Sequence, residues 1–134
     1  MQTLHHISLG VSEIERSARF YDAALLPLGY VRVGEDLTPG DDDQAVGYGT
    51  PGSGDKLAIK LRSADARTPG PAFHLASSAD THAAVDAFHA AALCNGGQDN
   101  GAPGLRPDYR DSHYAAFVVD PDGHRLEAVL NPMH

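Results

Sequence analysis

The chain has 134 residues, long enough for one domain with a real core, and its 42% hydrophobic and 21% charged residues argue against disorder. Eighteen acidic against ten basic side chains give a net charge of −8, with no basic cluster able to hold a phosphate backbone, so nucleic-acid binding is excluded. No apolar run reaches the length of a membrane span, the start MQTLHHISLGV has no leader-like basic and apolar regions, and one cysteine, Cys94, permits no internal disulfide; a soluble cytoplasmic protein without membrane partners is expected.

Residues 3–11 alternate as a strand does, with His5, Ile7, Leu9 and Val11 on one side and Leu4, His6, Ser8 and Gly10 on the other. Ser12-Glu13-Ile14-Glu15 reads as a capping box. The helix it opens carries Ile14, Ala18, Tyr21 and Leu25 on one face and ends at Pro27 and Gly29. Short strands are predicted over Tyr30–Val33, Ala45–Gly49 and Lys56–Arg62, with the acidic run Asp41–Asp43 in a solvated connection.

The pattern then starts again. Ala72–Ser77 reads as a strand and Asp80–Leu93 as a helix with Ala84, Val85, Phe88 and Ala92 inward, stopped by Gly96-Gly97. A stretch rich in Gly and Pro, 95–112, leads into a strand over His113–Val119. Asp120-Pro121-Asp122-Gly123 has the residues of a tight turn, and His124–Leu130 is the last strand.

Shifting the chain by 68 places His6 on His74, Phe20 on Phe88, Ala23-Ala24-Leu25 on Ala91-Ala92-Leu93, and Gly29 on Gly97. A shift of 69 matches Leu57 to Leu126 and Leu61 to Leu130. Such self-similarity points to duplication of one unit. The expected fold is a single α+β domain over 1–134 with two tandem β-α-β-β-β modules, 1–62 and 72–134, joined by a linker at 63–71. The modules are expected to form a cupped, mostly antiparallel sheet with the helices on its outer face.

Side-chain direction selects the candidate site. If Ile7, Leu9 and Val11, then Phe73 and Leu75, then Leu126, Ala128 and Leu130 pack inward, His6, His74 and Glu127 project from the helix-free face. Two imidazoles and one carboxylate suit a divalent metal with positions left open for water or substrate. Ser8, Tyr48, Lys60, His113 and Phe117 are expected to line the same cup and bind substrate. Lys60 would fix an anion and His113 would serve as general acid or base. His5 is expected on the helix side as a satisfied interior histidine. Tyr109, Arg110 and Tyr114 are lid candidates, and Cys94 is read as a bystander.

The segments HHISLGVSEIERSARFYDAALLPLGY, FHLAS and FVVDPDGHRLEAVL resemble the vicinal oxygen chelate superfamily, over essentially the whole chain. That group includes glyoxalase I, fosfomycin-resistance thiol transferases, extradiol dioxygenases, methylmalonyl-CoA epimerase and bleomycin-binding proteins. The resemblance implies a small-molecule substrate, a divalent ion (Zn, Fe, Mn, Ni or Co) on His6, His74 and Glu127, and a homodimer. It also implies that the site is built either within one chain or across two. Departures narrow the activity. Glyoxalase I enzymes carry a fourth, proton-moving carboxylate where the repeat puts Ala58, and alanine does neither job. Extradiol dioxygenases place a tyrosine ten residues before the Glu, where this chain has Phe117; the repeat puts Tyr48 at the matching position of the first half. Fosfomycin transferases share the hydroxyl of Ser8 but have a tyrosine at Phe117. The expected function is therefore a glyoxalase-like, metal-dependent lyase, isomerase or dioxygenase. The alternative is a metal-free binding protein of the bleomycin-resistance type.

Overall fold

The computed structural model describes residues 4–109 and 111–131. Eight strands and two long helices appear in the order β1 (Ile7–Val11), α1 (Ile14–Leu25), β2 (Val31–Asp36), β3 (Ala45–Gly49), β4 (Leu57–Leu61), β5 (Leu75–Ser78), α2 (His82–Cys94), β6 (Gln98–Leu105), β7 (Tyr114–Val119) and β8 (Arg125–Leu130). They form two four-stranded sheets of identical connectivity, β1-β4-β3-β2 (sheet A) and β5-β8-β7-β6 (sheet B). In each, the first and last strands of the module run parallel and the other pairs antiparallel. The duplicated β-α-β-β-β order is thus real, and it builds two open, mostly antiparallel four-stranded sheets.

The register shows the duplication residue by residue. Ser8 lies opposite Ala58 in sheet A, as Ala76 lies opposite Glu127 in sheet B. Ala58 therefore occupies the position in module 1 that Glu127 occupies in module 2.

Each helix covers one face of its own sheet, and the two helices pack on each other. The buried face of α1 is Ile14, Ser17, Ala18, Phe20, Tyr21, Ala24 and Leu25, at the spacing that helical periodicity requires. Val85, Phe88 and Ala92 are the buried residues of α2. Thr81 caps α2, its side chain accepting from the Ala84 N–H. Where α2 ends, a Cβ on Gly97 would stand 2.6 Å from the Phe20 ring, so only glycine lets the strand leave so close to α1.

Three local expectations change. Ser12 does not close a capping box: Glu13 is the N-cap, without a side-chain cap, and the Ser12 hydroxyl donates to Asp122. The stretch 95–112 is not all loop, since Gln98–Leu105 forms edge strand β6. Its pairing to β7 shifts register twice, around Gly101, and an edge position tolerates Pro103. Phe73 precedes β5 and is 40% exposed, so it does not pack inward.

The modules are joined most directly by the β7–β8 turn. Asp122 accepts from the Ser12 N–H and hydroxyl, the Ser17 hydroxyl and Arg16. Tyr21 donates its hydroxyl to Asp120 Oδ2 at 2.6 Å, while Asp120 Oδ1 accepts the N–H groups of Asp122 and His124. His124 Nε2 reaches the carbonyl of Gly10 at 2.8 Å. Burial pushes the Asp120 carboxyl above its ordinary range, against the opposing pull of Tyr21 and the backbone donors. Burial, then the Asp120 charge, also pushes Tyr21 well up, which keeps it a donor.

Two stability predictions result. Asp122→Ala strips partners from the β1–α1 junction and should cost about 3 kcal/mol in urea unfolding at neutral pH. A loss below about 1 kcal/mol would show that the turn is not what joins the modules. Asp120 has a folded pKa above its unfolded one, so its stabilising contribution is complete below about pH 4 and is lost as pH rises through the folded value. The stability of Asp120→Asn relative to the parent should therefore increase from acid to neutral pH. A difference that stays flat across that window contradicts this assignment.

Candidate functional site

The site is built on the face of sheet B that α2 leaves open. Register sets which side chains share that face: Glu127 on β8 pairs with Ala76 on β5 and with Phe117 on β7. Glu127 is 5% exposed, and both of its oxygens are engaged. His74 Nε2, just before β5, lies 2.9 Å from Oε1, and His113 Nε2, just before β7, lies 3.3 Å from Oε2. A buried carboxylate without such partners would be costly, and the two imidazoles supply them. The Phe117 ring stands beside His74, with centroids 5.9 Å apart. Tyr109 meets the His113 ring edge-on at 4.9 Å. His113 Nδ1 is buried without a hydrogen-bond partner.

The remaining sequence candidates lie elsewhere. His6 is exposed and pairs with His5, their Nδ1 atoms 2.9 Å apart. His5 is exposed too, against the expectation of an interior histidine, because the strand begins only at Ile7. Both rings line a groove of about 500 Å³ that also includes Lys56 and Leu75–Ser78. Ser8 and Lys60 belong to sheet A, Ser8 opposite Ala58 and Lys60 opposite Gly10.

Tyr48 is a correction. It is fully buried on the helix side of sheet A and donates its hydroxyl to the Ala18 carbonyl and to Asp22. Burial, then the Asp22 charge, raises its pKa. It cannot bind substrate from there. The 69-residue shift that set Tyr48 against Phe117 is one residue out in this strand. Ala58 pairs with Gly47, as Glu127 pairs with Phe117, so Gly47 is the true counterpart. A slip of one residue moves a side chain to the opposite face.

Two side chains that the periodicity did not single out stand at these open faces. Asp55 folds over Gly47, where a Cβ would lie 2.9 Å from the Asp55 Cβ. Arg106 follows β6 and sets its guanidinium carbon 5.4 Å from the centre of the Phe117 ring. A bare glycine in the Gly47 position was the only available sign for Asp55. For Arg106 the sign was its place after a glycine-rich edge.

His74 and Glu127 are donor types that suit a divalent ion, but in the single chain the Nε2 atoms of His74 and His113 meet different oxygens of Glu127. The set is partial. Among the described residues, no three His, Cys, Asp or Glu side chains are grouped so that they could hold a metal ion by themselves.

A model of the Glyoxalase/Bleomycin resistance protein/Dioxygenase superfamily matches residues 3–128. The chain belongs to that superfamily. A glyoxalase/bleomycin resistance protein from Albidiferax ferrireducens is 28% identical, with 97% of this chain and 100% of that one aligned at a TM-score of 0.77. A glyoxalase-related enzyme from Fulvimarina pelagi is 25% identical over 98% of this chain and 90% of that one, at 0.71. A V278E glyoxalase I mutant from Zea mays is 25% identical over 92% of this chain at 0.70, but only 44% of the maize chain is spanned. No curated protein matches significantly. None of the described helices is long and apolar enough to cross a membrane.

Proposed function

We propose that the chain is a glyoxalase-like metal-dependent enzyme of lyase, isomerase or dioxygenase type, acting on a small molecule that presents two adjacent oxygens. The observation that carries this reading is the buried Glu127 carboxylate with an imidazole Nε2 against each oxygen. Buried charges are maintained at a cost, and a carboxylate between imidazoles is the composition of a catalytic rather than a closed structural metal site.

In this reading His74 and Glu127 hold a divalent ion and His6 of a second copy completes the set, in a homodimer. The ion, when bound, supplies Lewis-acid polarisation of the substrate oxygens. The protein's part is positional. The pair β5–β8 fixes His74 and Glu127 relative to each other through the register Ala76 opposite Glu127. Phe117 walls one side of the His74 ring, which stays partly open to solvent. His113, at 14% side-chain exposure and held against the far oxygen of Glu127, is the group placed to take or return a substrate proton at Nε2. Ala58 at the Glu127-equivalent corner can neither ligate nor move a proton, so ordinary glyoxalase I chemistry is not part of the proposal.

A second reading, a metal-free binding protein, is favoured by one fact: His6 lies apart from His74 and Glu127 in the single chain, paired with His5. Metal analysis separates the two readings. Protein prepared without chelator and supplied with divalent metals should retain about one ion per chain, and His74→Ala should lose it while unfolding at a nearly unchanged temperature. Full occupancy in His74→Ala would overturn the ligand assignment, and no uptake by the parent would favour the binding protein. The dimer arrangement has its own check. In a mixed dimer of His6→Ala with His74→Ala, a site shared across the interface leaves one of the two sites intact, whereas sites within each chain leave neither.

A further inference from the structure

We infer that Arg106 is the anion-recognising, specificity-determining residue of this site, and that the substrate carries a carboxylate separate from its two adjacent oxygens. The inference rests on the reading that the open face of sheet B is the substrate site. It begins from charge. A chain of net charge −8 repels anions, and a small carboxylate needs a local cation to be held. Arg16, Arg32 and Arg62 are already committed to carboxylates of the chain. Arg106 makes no ion pair among the described residues, and it lies at the edge of the His74–Glu127–His113 cluster.

Its placement is built rather than incidental. Nη2 donates to the Ala102 carbonyl at 2.7 Å and Nη1 to the Leu105 carbonyl at 3.4 Å. The backbone N–H of Arg106 donates to the carbonyl of His113 at 2.7 Å, which ties the residue to the start of β7. The guanidinium then lies over the Phe117 ring, the same ring that stands against His74. The slot it occupies exists because β6 is glycine-rich there. A Cβ on Gly101 would come within 3.4 Å of Nη2, and one on Gly104 within 3.2 Å of Nη1. Gly101 also has φ +147°, a conformation that other residues rarely adopt.

Two carbonyls use only part of the five-donor fork, and the remaining N–H groups are free for a planar, two-oxygen acceptor. The ring of Phe117 separates that fork from His74. A ligand spanning the two would place adjacent oxygens at His74 and Glu127 and a carboxylate a short carbon chain away at Arg106. That is the shape of a small 2-oxo or 2-hydroxy dicarboxylate. The rival role for Arg106 is to satisfy the carbonyls of a bulged edge strand. Such a role affects stability but treats all ligands alike.

The probes are 2-oxoglutarate and 2-oxopentanoate, of equal chain length but with and without the second carboxylate. Calorimetric binding to the parent protein with manganese should favour 2-oxoglutarate roughly tenfold, the worth of a charge-assisted pair at a half-exposed site. Arg106→Gln should erase the preference, and Arg106→Lys should retain part of it. An undiminished preference in Arg106→Gln, or none in the parent, overturns the inference. If Arg106→Gln does not fold, Arg106→Lys decides: an unchanged preference there counts against the geometric argument, because an ammonium cannot reproduce the fork. Repeating the pair as glutarate and pentanoate without metal tells the two proposals apart. A second-carboxylate preference lost in Arg106→Gln, in protein that takes up no metal, upholds Arg106 and removes the metal reading. Metal uptake without any such preference does the reverse.

Discussion

The contact on which the rest of the structure depends is the docking of the Asp120–Gly123 turn into the start of module 1. Two four-stranded sheets with one helix each could be arranged in many ways, and their apolar helix faces alone would permit sliding. Directional bonds from Ser12, Ser17 and Arg16 to Asp122, from Tyr21 to Asp120, and between His124 and the Gly10 carbonyl fix one arrangement. Buried polar networks of this kind specify a unique packing, because a half-satisfied alternative is costly. Asp120 is itself an expensive element, since burial works against its charge. The network keeps it by surrounding it with two backbone donors and a phenol.

That contact reaches the site through strand continuity. The turn that docks on module 1 is also the connection between β7 and β8, the strands that carry Phe117 and Glu127. Pinning Asp120 and His124 sets where β8 begins, and the antiparallel pairing from Val119–Arg125 to Tyr114–Leu130 transmits that register to Phe117 opposite Glu127. The turn lies at the opposite end of β7 from His113, whereas Leu75 opposite Leu126 puts His74 toward the turn end of β8, so the same acidic turn that docks the modules also borders the candidate site.

Much of the fold was legible in the sequence because repetition and helical spacing are strong signals. The gapless match of His6 with His74 and of Phe20 with Phe88 predicted the duplicated module, and the strand register bears it out at Ser8–Ala58 and Ala76–Glu127. What failed were positions where one residue of phase decides the outcome. Tyr48 was placed on the open face by a shift that is valid for β4 and one residue wrong for β3. His5 was placed inside by extending β1 backward past the residues that pair. Strand β6 was hidden because its glycines and Pro103 carry loop chemistry, which an edge strand with shifted register accommodates. Arg106 and Asp55 had no periodic signature, since each is positioned by an absence of side chain next to it, at Gly101 and Gly104 or at Gly47.

The two open faces, equivalent by register, have diverged in a consistent direction. Sheet B has a carboxylate at Glu127, an aromatic at Phe117 and imidazoles at His74 and His113. At the positions matching Glu127 and Phe117 sheet A has Ala58 and Gly47, with Asp55 of the β3–β4 turn lying over the latter. The buried carboxylate and its aromatic neighbour are thus found on sheet B alone, while sheet A keeps Lys60 and Asp55 beside Ala58 and Gly47. A symmetric site would offer two equivalent ways to bind an asymmetric molecule. In the proposed reading, Arg106 beside the imidazole and carboxylate cluster favours one orientation of the ligand, as a reaction at a single carbon would require.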